Sequence, residues 1–598
     1  MKPEGYGLAG RLAAISLDSK LTSLIMIGSL LLGVLAIMNT PREEEPQIVV
    51  PFADVMVGLP GASPAEVEDR VTRPIERLAM ELPGVEYVYS TSLPDMAMVT
   101  VRFKVGDDQE RSMVKLYDAL AGGMDAMPAG ATPPLVKARL IDDVPILALT
   151  FWQDRGDEVL LRDIAAAFDE EIRSVPDVSV TELLGGRRRT LEVRLDNRAL
   201  AAAGISTQQV VGSLQAANAA APGGALVDGN QATLVRTNAF LRTAEDVSSV
   251  VVGVADDRPI RLGSVASIVE VPQTESYVAM VGGAAEHEGG SIQQEGRGAP
   301  AVTLSIAKRK GADATRVAEA VLHRVEAARG RLLPTDMHLT IARDYGETAN
   351  EKATDLLKHL GIAIVLVTVL TAVVLGVRGS AVVFVSVPVT FALTLFTYYL
   401  FGYTLNRVTL FALIFITGIV VDDSIIIVEN IYRHLAMRRT PRVRSAILAA
   451  VSEVGNPTVL ATLTVIASVF PMAYVGGLMG PYMRPMPIGA SMAMTFSLIV
   501  ALTISPWLGK RVLKVKEDAG ADHAEETAPP RLRKFYDRVL GPLLDSPRKG
   551  LTVLGAITLL LLATLVLLPL KVVTVKMLPF DNKSEMQVLV DMPEGTPL

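Results

Sequence analysis

Cysteine is absent from this chain of 598 residues. Disulfides, thiolate catalysis and cysteine-ligated zinc are thereby excluded, and any domain in an oxidising compartment must be held by its core alone. Histidine is scarce. His287, His323, His338, His359, His434 and His523 are scattered, with no two at i, i+3 or i, i+4, so no local metal-ligand pair exists. Aromatics make up 5% of the chain and charged residues 20%. The net charge of −7 leaves no basic footprint and argues against nucleic acid as a partner. What is present is apolar: 50% of residues are hydrophobic and the mean hydropathy is +0.37. That balance points to membrane spans joined to large polar domains.

Apolar stretches near 21–38, 360–377, 381–400, 408–431, 457–475, 488–508 and 551–570 predict about seven spans by window length. The first is long for a signal-peptide core, and no small-x-small cleavage site precedes Thr40-Pro41-Arg42, so it reads as a retained helix. Basic residues set the orientation. Lys2, Arg11 and Lys20 precede the first span; Arg433, Arg438, Arg439, Arg442 and Arg444 follow the fourth; Lys510, Arg511, Lys514 and Lys516 follow the sixth. The positive-inside rule puts all three clusters on the cytoplasmic side. Residues 39–359 then form one large outer domain. The polar, acidic stretch 517–530 reads as a flexible linker. Phe535, Val539 and Leu543 give 531–545 the spacing of an interfacial helix.

Within the outer domain, 47–59 reads as a strand, and Ser63-Pro64-Ala65-Glu66 opens a helix with N-cap, N1 proline and N3 glutamate. That helix runs to about Leu82. Strands over 85–91 and 97–104, a turn at Pro94-Asp95 and a helix over 108–126 complete a β-α-β-β-α order, that of a split βαβ, ferredoxin-like module. The pattern starts again with a strand at 145–152, a helix at 160–174 and a strand at 178–184. It resumes at a strand over 301–308 and a helix over 312–329. The insertion between, about 185–275, carries a helix at 206–218 and a Gly/Ala-rich loop from Ala220 to Gly229. It is either a docking module or a surface elaboration. Near the end, Val588 to Pro597 repeats Val55 to Pro64 at an offset of 533 residues, which also maps the span at Leu21 onto Leu554. Internal duplication is common among secondary transporters. The second copy stops at Leu598, and a lone strand is not a stable ending. The expectation is an incomplete chain, or one completed by another chain.

The chemistry concentrates at Asp422 and Asp423, inside the otherwise uncharged run Val408–Val428. Insertion scales put a carboxylate there at roughly 2.5–3.5 kcal/mol. Helix neighbours point about 100° apart, and two close carboxylates in a low dielectric should not both ionise unpaired. A carboxylate that takes up a proton in the membrane can couple proton flow to work. No basic residue lies within any predicted span, so the counter-charge must come from elsewhere. Glu429 lies two turns beyond Asp422 and either extends a proton path or, with Asn430, caps and anchors the helix at the interface. The run Glu43-Glu44-Glu45 reads as a solvated face.

Residues 400–430, LFGYTLNRVTLFALIFITGIVVDDSIIIVEN, resemble the fourth transmembrane helix of resistance–nodulation–division (RND) efflux permeases of the hydrophobe/amphiphile type. Ser386-Val387-Pro388, Pro471-Met472 with Gly476-Gly477, and Leu502-Thr503-Ile504-Ser505-Pro506 extend the likeness over nearly the whole chain. The resemblance implies an α-helical transmembrane bundle plus an α+β extracytoplasmic domain of ferredoxin-like porter subdomains with an inserted docking module. It divides the chain into the N-terminus and first span (1–38), porter subdomain 1 (39–135), porter subdomain 2 (136–184 and 276–345) and the docking module (185–275). Spans two to six (346–510), a linker with interfacial helix (511–550), the seventh span (551–571) and the start of a second porter half (572–598) follow. It implies no enzyme and no cofactor, but a proton antiporter driven by the proton motive force, with Asp422 and Asp423 as relay and a lysine from a second-half helix as counter-charge. It also implies a homotrimer in the inner membrane of a Gram-negative bacterium, with a periplasmic adaptor and an outer-membrane channel. Leu183 and Leu184, before Arg187-Arg188-Arg189, stand where the multidrug branch would carry an aromatic, and the 22 methionines are dispersed rather than paired as metal export would need. Two other readings compete. One is a non-transporting or split subunit that acts only in assembly. The other is an intramembrane aspartyl protease, which needs aspartates on two facing helices.

Overall fold

A computed structural model of the chain describes residues 7–140, 143–153, 157–219, 221–237, 240–255, 258–273, 280–281, 298–436, 443–513, 530–573, 588–590 and 592. Arg438, Arg439, Arg442, Lys514, Lys516, His287, His523, nearly all of the 517–530 linker and most of the repeated strand at 588–597 lie outside the described residues. Among the described residues, six helices are long and apolar enough to cross a membrane: Leu21–Asn39, Tyr345–Leu400, Arg407–Ala436, Val443–Tyr474, Met479–Val512 and Pro547–Val566. The second breaks at Gly376 (φ 76°, ψ 166°), a conformation natural only to glycine. The break separates the segments expected at 360–377 and 381–400. The fifth expected span begins earlier than its proline: Val443–Val469 runs straight through Pro457, which removes one ladder bond without ending the helix.

The Arg407–Ala436 helix packs against Tyr345–Leu400, Val443–Val469 and Pro485–Val512, and the shared core holds Leu413, Ile416, Val420, Ile427, Ala493 and Leu502. Small residues permit the close approach. A Cβ at Gly33 would lie 2.4 Å from Ala392 Cβ and 2.7 Å from Ala392 Cα. At one end of the bundle, Asp18 pairs with Arg444 Nε at 2.9 Å and with Lys510. Lys510, then Arg444, hold the Asp18 carboxyl below its usual range. The staple is therefore formed at neutral pH and weakens only as the pH falls through that lowered value. It brings the three basic segments to the same end of the molecule.

Between the first two spans lie two sheets of the same design. In the first, β1 (Phe52–Gly58), β2 (Val85–Leu93), β3 (Met96–Phe103) and β4 (Leu135–Arg139) run in the order β2-β3-β1-β4, all antiparallel. In the second, β5 (Pro145–Trp152), β6 (Val178–Gly185), β14 (Ala299–Lys308) and β15 (His338–Asp344) run β6-β14-β5-β15. Apolar residues on one face of each sheet pack on its two helices: Val55, Val99 and Val101 with Val71, Ile75 and Leu116; Leu149 and Leu304 with Phe168 and Val321. The closing strands β4 and β15 were not expected from the sequence. β4 alternates with Lys137 and Arg139 outward, and in β15 a register shift between Ile341 and Arg343 breaks the alternation; each masks the strand signal. The capping box at Ser63 and Glu66 forms as expected. The helix after it widens into a π-turn at Glu68–Thr72 before Pro74, which has no amide hydrogen to donate.

The insertion has its own core of Leu200, Val210, Val252 and Leu262. It holds β7 (Arg189–Leu195), β8 (Ala221–Asp228), β9 (Gln231–Thr237), β10 (Val251–Ala255), β11 (Arg258–Arg261) and β12 (Ala266–Pro272). β7 pairs with β12, and the short β13 (Met280–Val281) returns the chain to β14. The expected Gly/Ala-rich loop is instead the β8–β9 hairpin, turned by Gly229 (φ 60°) and Asn230. Gly229-Asn230 was a hairpin signal, hidden by the low β-propensity of Ala and Gly beside it.

Gly33→Val is expected to wedge the first span away from the segment 381–400, where Ala392 lies. The cost should be about 1–3 kcal/mol, as for other overpacked cores, read as a lowered Tm in detergent.

Candidate functional site

Asn406 starts the central helix. Its Oδ1 accepts from the Val408 and Thr409 amides, each at 3.0 Å, and the Thr409 hydroxyl donates to the Thr404 carbonyl at 3.0 Å. From that cap the helix runs unbroken to Ala436. Asp423, only 8% exposed, faces the bundle. Its Oδ2 accepts from Ser497 Oγ at 2.9 Å and its Oδ1 from Thr462 Oγ1 at 3.3 Å. Each hydroxyl also reaches a backbone acceptor: Ser497 the Val420 carbonyl at 2.6 Å, Thr462 the Thr458 carbonyl at 2.9 Å. Among the described residues neither Asp422 nor Asp423 is in an ion pair. Two hydroxyls can solvate a carboxylate or a carboxylic acid, but they do not neutralise charge.

The two aspartates diverge. Asp422 is on an exposed stripe of the same helix with Phe415, Gly418, Ile426 and Glu429. A Cβ at Gly418 would meet nothing within 4 Å, which leaves a notch one turn from Asp422. Asn430 is buried, and its Nδ2 donates to the Ala450 carbonyl at 2.8 Å, so it ties the central helix to Val443–Val469. Glu429 is on the Asp422 side, away from Asn430.

Distant motif pieces meet nearby. Ser386 and Ser505 hydroxyls lie 3.0 Å apart, joining the Ser-Val-Pro segment to the Ser-Pro segment of the last bundle helix. Sequence reasoning missed Ser497 and Thr462. Neither stands in a charged motif, and only the helix packing aims them at Asp423.

A model of the AcrB/AcrD/AcrF family matches residues 13–598. The chain belongs to this family of RND efflux permeases. It is also similar to Multidrug resistance protein MdtC of Pantoea ananatis, 30% identical over 541 residues, which is 88% of this chain and 49% of the relative. MdtC of Yersinia enterocolitica is 28% identical over 498 residues (83% and 47%), and MdtC of Salmonella typhi 28% over 496 residues (82% and 47%). The chain thus spans about half the length of the curated relatives it matches. Within this RND permease chain, one expectation fails. Glu43 does not belong to a solvated face: it is 4% exposed and its Oε1 accepts from Lys308 Nζ at 2.6 Å. Glu45 pairs with Arg407. The acidic run is drawn inward because cations from the sheet domain and from the start of the central helix converge on it.

Asp423→Asn is expected to fold normally. Ser497 and Thr462 keep backbone acceptors, so the change in unfolding free energy should stay within about 1 kcal/mol, checked by thermal unfolding of the purified protein.

Proposed function

We propose that this chain works in a proton-driven exporter of small molecules, with Asp422 and Asp423 as the proton relay. The observation that carries this is the arrangement at Asp423: a carboxylate buried among apolar helices, supported by hydroxyls, with a second carboxylate beside it on an open stripe. Such a pair favours uptake of a proton unless a cation approaches. The Gly418 notch beside Asp422 suits a close-packing helix that would bring that cation, as the lysine implied by the family would. Proton entry then exchanges an ion pair for a neutral acid, and the facing helix relaxes. Each proton crossing supplies about 2.3 kcal/mol per 100 mV of membrane potential. Glu429, on the same stripe, is suited to hand protons toward the basic, cytoplasmic end; Asn430 holds the helix in place.

The two sheet subdomains, of ferredoxin-like strand order, serve as porter subdomains, and the separate core of the insertion suits a docking module. Its β8–β9 hairpin exposes Leu226 (66%), Val227 (72%) and Leu234 (72%), which favours burial against another copy in a homotrimer. A periplasmic adaptor and an outer-membrane channel would extend the path from the inner membrane of a Gram-negative cell. The relatives are named for multidrug resistance, and drug-like molecules are the substrate class proposed here. A cavity of about 340 Å³ between β4 and the β6–β14 pair is lined by Lys137, Arg139, Asp143 and Glu182. With Val180 and Ala307 among these charges, this chain's own lining favours amphiphilic over purely aromatic cargo. Arg187 and Arg189 are engaged by Glu158 and Glu270.

Asp422→Asn combined with Asp423→Asn in the assembled pump should abolish export while leaving the protein in the membrane. Drug accumulation and growth on a drug panel measure it; unchanged resistance would sink the relay and favour a non-transporting subunit. Gly418→Leu should fill the notch and reduce export by about tenfold or more, the scale of a packing defect of about 1.4 kcal/mol or more.

A further inference from the structure

The strap that follows the first span, Pro41 to Gln47, lies between the loop preceding the aspartate helix and the second sheet. On one side its backbone is laced to that loop: the Leu405 amide donates to the Pro41 carbonyl at 2.8 Å and the Glu43 amide to the Leu405 carbonyl at 3.1 Å. On the other it is laced to the sheet subdomain: the Ala314 amide donates to the Arg42 carbonyl at 3.0 Å, and the Arg42 amide to Asp313 Oδ2 at 3.0 Å. At its centre is the Glu43 carboxylate. Oε1 takes the ammonium of Lys308 at 2.6 Å, and Oε2 takes the Thr404 hydroxyl at 2.9 Å. Thr404 Oγ1 in turn accepts from Asn406 Nδ2 at 2.9 Å, and Asn406 caps the aspartate helix.

Lys308 is the last residue of β14, whose partners include β6: Thr303 faces Leu184 and Leu304 faces Leu183. A continuous line of hydrogen bonds, two of them to the Glu43 carboxylate, therefore joins the cap of the aspartate helix to the strand pair beside the 340 Å³ cavity. Glu43 and Lys308 are both only 4% exposed. A buried ion pair contributes little net stability and is strongly penalised when one partner moves alone. That penalty makes it a stiff joint. Asp423 lies roughly 25 Å along the same helix from Asn406 at about 1.5 Å per residue, so a tilt or shift at the relay reaches the cap undiminished by any break.

We propose that Glu43 is a positioning residue for transport, joining displacement of the aspartate helix, through Thr404, to Lys308 and the β14–β6 strands. The proposal rests on the proton-relay reading above and goes beyond it by naming how the movement reaches the sheet. Thr404→Val is the decisive variant, because it cuts the carboxylate from the helix and leaves the buried ion pair intact, so folding is preserved. Glu43→Gln is the second.

These 598 residues hold no cysteine, so a single cysteine placed in them, with any cysteine elsewhere in the pump replaced by serine, carries a reporter at one defined site. An environment-sensitive fluorophore at Tyr432→Cys follows the aspartate helix, and one at Leu184→Cys follows β6. Both would be read in vesicles holding the full-length pump after an imposed pH step. In either variant the Tyr432 signal should match the parent, while the Leu184 signal and the export rate fall about fivefold or more, the scale of a typical coupling energy. Parental Leu184 amplitude with parental export in Thr404→Val overturns the proposal. Silence of both reporters in the parent itself would instead overturn the proton-relay reading, and the coupling proposal with it.

Discussion

Everything in the membrane part depends on how one carboxylate is kept among hydrocarbon side chains. Asp423 has no cation beside it among the described residues, so the bundle offers hydroxyls instead, from Ser497 and Thr462 on two neighbouring helices. That requirement explains the packing. The Arg407–Ala436 helix must be enclosed by three others, and the enclosing helices carry Ser, Thr and Ala where bulkier residues would hold them off. Each hydroxyl keeps a backbone acceptor, so the site stays satisfied whether the acid is charged or neutral. A site with this property can change protonation without unfolding its surroundings.

The same logic extends beyond the bundle. The second span is not hinged to the sheet domain: Asp344 ends β15 and its carboxylate caps the helix that becomes the span, accepting from the Glu347 amide at 2.9 Å. The strap after the first span is laced to both parts. Two rigid junctions therefore connect membrane and sheet, and the only sharp break in the second long helix is at Gly376, at the far end of that span. Neither junction contains a break of the kind seen at Gly376. The inserted module, with a core of its own, stands apart from this connection.

Much of this was legible in the residue order. Apolar windows marked the spans, alternation with Gly and Pro punctuation marked most strands, and the Ser63–Glu66 capping box marked a helix start to the residue. The Asp-Asp pair stood out because charge is so costly in such a window. What escaped were elements whose signal is relational. β4 carries a charged outward face and β15 an irregular register, and both become strands because β1 and β5 offer open edges. The β8–β9 hairpin is written in alanine and glycine. Glu43 to Glu45 looked solvated because Lys308 and Arg407 are hundreds of residues away in sequence.

The sequence by itself determined where the chain enters the bilayer, which helix bears the carboxylates, the repeated β-α-β-β-α order and the family. These depend on local composition and period, which a linear string carries in full. Only the tertiary structure decided that Asp422 and Asp423 would face different surroundings, that Ser497 and Thr462 would serve one of them, and that Glu43 would be buried against Lys308. Those outcomes depend on which helices and strands become neighbours. Burial in a low dielectric then turns such proximity into strong interaction, and the string alone does not state which charges share that space.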